Sequence, residues 1–142
     1  MTAMAEGRTF DLEARTLRFA ERVRKFLRLL PRTIISEMDG RQLVRSSGSV
    51  GANYIEANEN LGVRDFLYRI KLCRKEAKES RYWLLLLQLD GGSPHAGERQ
   101  ALVTEADELM RIFAVIHRNY AARHGVGTAG SSVSARISIP SR

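Results

Sequence analysis

The sequence predicts an all-α fold, an antiparallel up-down-up-down bundle of four helices. Along four long segments, apolar residues recur every three or four positions, which is the spacing of one face of an α-helix. Short connectors containing glycine, proline or asparagine separate these segments, so neighbouring helices are expected to run in opposite directions. No segment shows the alternation of apolar and polar residues that is typical of a β-strand.

The first helix is predicted over residues 11–30, with Asp11 as its N-cap and Pro31 as the residue that stops it. Its inner stripe consists of Leu12, Phe19, Val23, Phe26 and Leu30. The connector over residues 31–39 is longer than the others, and we expect it to hold an irregular turn.

The second helix is predicted over residues 40–58 and is unusual in its many small residues. Its inner stripe is Leu43, Ser47, Val50 and Tyr54. Each glycine in a helix interior costs about 1 kcal/mol relative to alanine. We expect close approach of another helix backbone to offset this cost at the glycines of the segment, Gly48 and Gly51.

The third helix is predicted over residues 64–89 and the fourth over residues 98–123, with the breaker cluster of residues 90–94 between them. The core face of the third helix comprises Phe66, Ile70, Cys73, Ala77, Ser80, Leu84 and Leu87. That of the fourth comprises Leu102, Ala106, Leu109, Phe113, Ile116 and Tyr120. Residues 1–124 are therefore predicted to form one bundle domain, and residues 125–142, rich in glycine and serine, a flexible tail.

Two helices carry a further surface that lies outside the core stripe. A helix that is apolar on more than one side is usually buried on more than one side. We therefore predict a homo-oligomer, with Leu17 and Leu29 also pointing away from the core of the first helix. The predicted interface residues are Ser49, Ala52 and Glu56 on the second helix, and Leu72, Glu76, Glu79, Trp83 and Leu86 on the third.

The net charge of +7 is concentrated in two segments, since residues 8–32 carry a net of +5 and residues 61–90 a net of +3. Cations contact phosphates and tyrosines stack on bases, so these segments predict a non-enzymatic protein that binds RNA or DNA. The alternatives are a solvated face, or a protein-only scaffold whose basic face docks an acidic partner or lies between subunits. The candidate nucleic-acid-binding residues are Arg18, Arg24, Lys25 and Arg28 on the first helix, and Arg64, Lys71, Lys75 and Lys78, with Tyr68 and Tyr82 beside them, on the third.

Polar pairs three residues apart on the second and third helices raise the question of a metal site. A di-iron bundle needs Glu-x-x-His pairs, and the sequence has none. An ion-paired cluster with Arg45 or Arg69 is the favoured interpretation. The residues concerned are Asn53, Glu56, Glu76 and Glu79.

Neither catalysis nor a cofactor is predicted. Gly48-Ser49-Val50-Gly51 lacks the flanking residues of a phosphate loop and the spacing of a nucleophile elbow. The three histidines have no chelating spacing and are assigned surface or helix-dipole roles. They are His95, His117 and His124. We therefore expect no catalytic, metal-binding or cofactor-binding residues.

The compartment expected from the sequence is the cytoplasm. Cys73 is the single cysteine, so neither an intrachain disulfide nor a Cys-based zinc site can form. Residues 1–8 have no apolar signal core, and no apolar stretch approaches the roughly 20 residues that span a bilayer. No membrane partner is expected.

Two segments resemble the "four helix bundle protein" family, whose members include proteins encoded within intervening sequences of bacterial large-subunit ribosomal RNA genes. The first segment is residues 41–57, RQLVRSSGSVGANYIEA; the second is Asp65-Phe66 followed by residues 74–84, RKEAKESRYWL. The resemblance implies a ring of bundles, commonly a pentamer. A related branch, the accessory variability proteins of diversity-generating retroelements, implies a reverse transcriptase and nucleic acid as partners. Gly62 departs from the family pattern, where relatives often have a capping serine.

Overall fold

The computed structural model describes residues 2–87 and 89–127, and it describes side chains from residue 12 onward within these ranges. This part of the chain contains four helices and no strand: α1 (Thr2–Arg28), α2 (Ile34–Asn58), α3 (Val63–Leu86) and α4 (Ala96–Arg123). The prediction of a four-helix bundle is confirmed.

Each helix packs against two others, in the cyclic order α1, α2, α3, α4. Arg15 of α1 bonds to Glu105 of α4. Arg22, which comes later along α1, bonds to Glu98, which comes earlier along α4. These two neighbours therefore run in opposite directions. In the described part of the chain, no Cα atom of α1 lies within 8 Å of one of α3, so these two helices are diagonal across the bundle.

The core lies along the bundle axis and is built from the predicted stripes. Its largest fully buried side chains include Phe19, Phe26 and Phe113, with Leu43, Ile70 and Leu84 between them. Burying one such side chain contributes about 1.5–3 kcal/mol to stability. Cys73 is fully buried among them.

The second helix begins at Ile34, six residues before the predicted start, so the prediction of an irregular turn over residues 31–39 was wrong. Thr33 and Ser36 form a capping box: the Thr33 hydroxyl accepts the Ser36 N–H at 3.0 Å, and the Ser36 hydroxyl accepts the Thr33 N–H at 2.9 Å. These bonds satisfy amide groups that a helix start leaves without intrahelical partners. The actual connector is residues 29–33.

The other helix ends differ from the prediction by smaller steps, except that α1 begins at Thr2 and not at residue 11. Helix α1 stops at Arg28 because Pro31 disfavours helical geometry at the residue before it. Helix α3 stops at Leu86, where the Arg99 guanidinium donates to the Leu87 carbonyl at 2.6 Å. Helix α4 begins at Ala96, two residues early.

Gly62, the departure from the family pattern, has a backbone φ of +138° directly before α3. Residues with a side chain rarely adopt this conformation, so the position favours glycine. Most of the predicted tail, residues 128–142, lies outside the described residues. None of the described helices has the length and apolar character needed to cross a membrane.

Candidate nucleic-acid interface

The outward face of α3 carries cations and phenols along its whole length. Tyr68 and Tyr82 are 58% and 57% exposed, although large aromatic side chains are usually buried. The four predicted cations on this face are all exposed: Arg64, Lys71, Lys75 and Lys78. At a rise of 1.5 Å per residue, they extend over about 21 Å of helix.

None of the eight predicted nucleic-acid-binding residues forms an ion pair with a carboxylate among the described side chains. The ion pairs of the bundle use other arginines: Arg15, Arg22, Arg45, Arg69 and Arg111. The described carboxylates therefore form no ion pair with these cations of the α3 face. An unneutralised row of cations attracts polyanions.

The structure separates the two predicted basic segments. Since α1 and α3 are diagonal, their outward faces lie on opposite sides of the bundle. Arg18, Lys25 and Arg28 are exposed on α1. Arg24 was expected to point away from the core, but it is half-buried and lies across α2: its Nη2 atom is 3.4 Å from the place where a Cβ atom on Gly48 would be. The missing side chain of Gly48 leaves room for it.

Two of the predicted interface residues, Glu76 and Glu79, contact an arginine of the same chain. Arg45 on α2 donates to Glu76 at 3.2 Å and to Glu79 at 3.1 Å, both on α3. Part of the predicted ion-paired cluster is thus present, with Arg45 as its partner. Its other two members do not join it: Asn53 donates to a carbonyl of its own helix at 2.9 Å, and Glu56 forms no ion pair with a described side chain. Burial raises the pKa of the Glu76 carboxyl, the Glu79 charge raises it further, and Arg45 opposes both.

The other predicted interface residues differ in how far they are exposed to solvent. Trp83 is partly buried and packs against the core of the bundle. Its indole Nε1 is buried and has no hydrogen-bond partner among the described residues. Leu72 and Ser49 are half-buried, whereas Ala52, Glu56 and Leu86 are exposed.

An apolar groove of about 590 Å³ runs between α1 and α2 on the outside of the bundle. Leu17 and Ile55 line it and are 61% and 54% exposed. Ala52 lies in its wall, next to Gly48 and Gly51. The sequence placed Leu17 outside the core of the first helix, and it is exposed. The exposure of Ile55 depends on how α2 is turned against α1, which is set by contacts between residues far apart in the chain.

The predicted close approach at the small residues of α2 occurs at Gly51. A Cβ atom there would lie 3.0 Å from Thr16 Oγ1 and 3.3 Å from Thr16 Cβ. Thr16 is buried, and its hydroxyl donates within α1, 2.9 Å from the Leu12 carbonyl and 3.0 Å from that of Glu13. Gly51 therefore lets α1 pack against α2.

The single cysteine, Cys73, is buried in the core and does not lie on this surface. Burial raises the pKa of the Cys73 thiol to about 12, so it stays protonated near neutral pH. The described residues contain no group of three or more His, Cys, Asp or Glu side chains placed to hold a metal ion.

The fold and its surfaces define a four-helix bundle with a basic face on α3, and the comparisons with known proteins concern the fold alone. No family model and no curated protein matches the sequence. The chain is similar to a crystal structure of a protein of unknown function from the S23 ribosomal protein family of Bacteroides thetaiotaomicron. The TM-score is 0.64 and the identity 23%, and the match covers 78% of this chain and 97% of that one.

Proposed function

We propose that this protein is a non-enzymatic, homo-oligomeric nucleic-acid-binding protein that holds phosphates on the outward face of α3. The observation that carries the proposal is the exposed, unneutralised row of cations there, Arg64, Lys71, Lys75 and Lys78, with Tyr68 and Tyr82 beside it. About 21 Å of helix corresponds to roughly six nucleotides at 3.4 Å per step.

Binding of this kind does not depend on base sequence. Flexible lysine and arginine side chains on a convex helix contact the backbone, and exposed tyrosines stack on any base. Affinity for RNA and DNA is therefore expected to fall steeply as salt rises. An enzyme that acts on nucleic acid, such as the reverse transcriptase implied by the resemblance, is the further partner we propose.

The α1–α2 groove supports the homo-oligomeric part of the proposal. Exposed Leu17 and Ile55 in this groove would be shielded from water by a second copy of the chain, and burying their apolar area would stabilise the assembly. A closed ring, commonly a pentamer, is the assembly that the family resemblance implies. Membership of the intervening-sequence family and a cytoplasmic location remain predictions.

The test reverses the charge of the α3 face. Lys71→Glu, Lys75→Glu and Lys78→Glu together should abolish retention of a short single-stranded oligonucleotide while the oligomer, measured by light scattering, stays intact. The matched control reverses three exposed arginines outside the candidate set, Arg41, Arg118 and Arg123, with the same change in net charge. Equal loss in both variants, or affinity that is flat between low and high salt, would contradict the proposal.

The second candidate is the protein-only scaffold, which the apolar groove also favours. If reversing the α3 charges dissociates the oligomer, the basic face lies between subunits and the scaffold is correct. A folded variant, checked by circular dichroism, is required for either conclusion.

A further inference from the structure

A small cleft lies on the outer seam between α3 and α4. Its volume is about 70 Å³, several times the space that one water molecule needs. Three apolar residues and three nitrogen-bearing side chains line it. The lining residues are Ile70, Phe113 and Ala114, with Lys71, Arg74 and His117.

Two of these three side chains come from α3 and one from α4. Lys71 and Arg74 are three residues apart, so they lie on the same face of α3, and His117 lies opposite them on α4. Among the described residues no carboxylate lines the cleft, and neither Lys71 nor Arg74 forms an ion pair with a described acidic side chain. The cleft therefore combines two cations with a group that can gain a proton.

The state of His117 depends on what occupies the cleft. Burial lowers the pKa of the His117 imidazole, and the charges of Lys71 and Arg74 lower it further. These two cations on α3 are the charged groups that line the cleft around it; neither α1 nor α2 contributes a described lining residue. Without an anion the imidazole is therefore neutral near pH 7. An anion between the three groups reverses the local field and favours the protonated ring.

We propose that Lys71, Arg74 and His117 form a pH-sensitive binding site for a single phosphate group on the α3–α4 seam. A planar guanidinium binds two phosphate oxygens at once, an ammonium adds a point charge, and the protonated imidazole donates a further hydrogen bond. Either a phosphodiester of a nucleic acid or a free phosphate ion has this chemistry. The inference rests on the proposed function only for the nucleic-acid source, where Lys71 would serve both the α3 face and the cleft.

The first experiment uses inorganic phosphate as the probe and the ring resonances of His117 as the readout. We expect phosphate, added to the full chain at constant ionic strength with chloride as the reference, to raise the His117 pKa. The rise should vanish in Arg74→Gln. His124, exposed at the end of α4, is the internal control and should not respond. A His117 titration that is the same in phosphate and in chloride overturns the free-phosphate site.

The second experiment measures the affinity of a short single-stranded oligonucleotide at pH 8 and pH 6 at fixed salt. Linkage predicts about three- to tenfold tighter binding at pH 6, because binding takes up a proton at His117. His117→Gln should lose this gain, and the control His124→Gln should keep it.

The outcomes separate this inference from the proposed function. If the oligonucleotide binds but His117→Gln has the wild-type pH profile, the proposed function stands and the nucleic-acid source is overturned. If no oligonucleotide binds but phosphate raises the His117 pKa, the phosphate site stands and the proposed function fails. If neither probe acts, both are wrong.

Discussion

Ser46 of α2 and Ser80 of α3 form a hydrogen bond in the core, with their hydroxyl oxygens 2.9 Å apart and neither residue exposed to solvent. Each hydroxyl also lies near a carbonyl of its own helix, Ser80 at 2.8 Å from that of Glu76 and Ser46 at 3.3 Å from that of Leu43. A buried hydroxyl without a partner costs about 1–3 kcal/mol. The serine pair therefore joins α2 and α3 in the core, and one hydroxyl donates to the other while the second donates to its own helix.

Replacing either serine by alanine should destabilise the protein by about 1 kcal/mol, because the remaining hydroxyl loses its cross-helix partner. The double variant Ser46→Ala, Ser80→Ala should lose less than the sum of the single variants. Chemical denaturation of the four proteins in a double-mutant cycle measures the coupling. Strictly additive losses would show that the two hydroxyls do not depend on each other.

Gly48 and Gly51, three residues apart on α2, should respond to alanine in opposite directions. At Gly48 the new Cβ would meet only the flexible end of Arg24, so Gly48→Ala should stabilise by about 0.5–1 kcal/mol. At Gly51 it would meet buried Thr16 at 3.0 Å, so Gly51→Ala should give no gain or a loss.

Thermal unfolding of the two variants tests this difference. Adding Thr16→Ala to Gly51→Ala removes the Oγ1 atom in closest contact and should recover part of the loss. An equal gain at both glycines would mean that α1 does not approach α2 as closely as described.

The capping box predicts that Thr33→Ala destabilises the protein by about 1 kcal/mol, since the Ser36 N–H loses its acceptor. Thr33→Ser keeps the hydroxyl and serves as the control. Hydrogen exchange in the first turn of α2 gives the local readout and should accelerate in the alanine variant alone. Unchanged exchange there would contradict the cap.

The raised pKa of the Glu76 carboxyl predicts how the stability of the protein changes with pH. The folded state holds the proton more tightly than the unfolded state, so this group's contribution to stability falls as pH rises from the ordinary glutamate pKa through the folded one. Arg45→Gln removes the opposing charge and should move this loss to higher pH. Denaturation between pH 4 and pH 8 measures it. The double variant Arg45→Gln, Glu76→Gln should not show this pH-dependent loss of stability. If the loss persisted in the double variant, another group would be its cause.

The lowered pKa of His117 changes stability with pH in the opposite direction. Between the ordinary histidine pKa and the lower folded value, the unfolded state binds more protons, so stability from this group is lost as pH falls through that window. His117→Gln should remove this loss in chloride buffer, as seen in the melting temperature between pH 7.5 and pH 5.5. A wild-type profile in the variant would show that His117 does not cause it.

The sequence was sufficient to predict the fold because helical periodicity is a local signal. Residues such as Phe19, Leu43, Ile70 and Phe113 repeat at the spacing that buries one face, and all four are fully buried. The start of α2 was missed because Thr33 is followed at the capping-box position by Ser36, which is a weaker signal there than glutamate or glutamine.

The candidate surfaces were only partly predictable, because they depend on which helix faces meet. Periodicity placed Lys71, Lys75 and Lys78 outside the core, and they are exposed. It could not assign Arg24 to the groove or choose Arg45 over Arg69 as the partner of Glu76, since these contacts join residues more than 20 positions apart. For the same reason, the cleft of Arg74 and His117 had no signal in the sequence.

The diagonal placement of α1 and α3 has a consequence for stoichiometry. The cations of α1 and those of α3 face away from each other, with α2 and α4 between them. A strand of about six nucleotides matches the length of the cation row on α3. The number of short strands taken up per protomer therefore distinguishes one working face from two, and a protomer with two could tether separate strands on its opposite flanks.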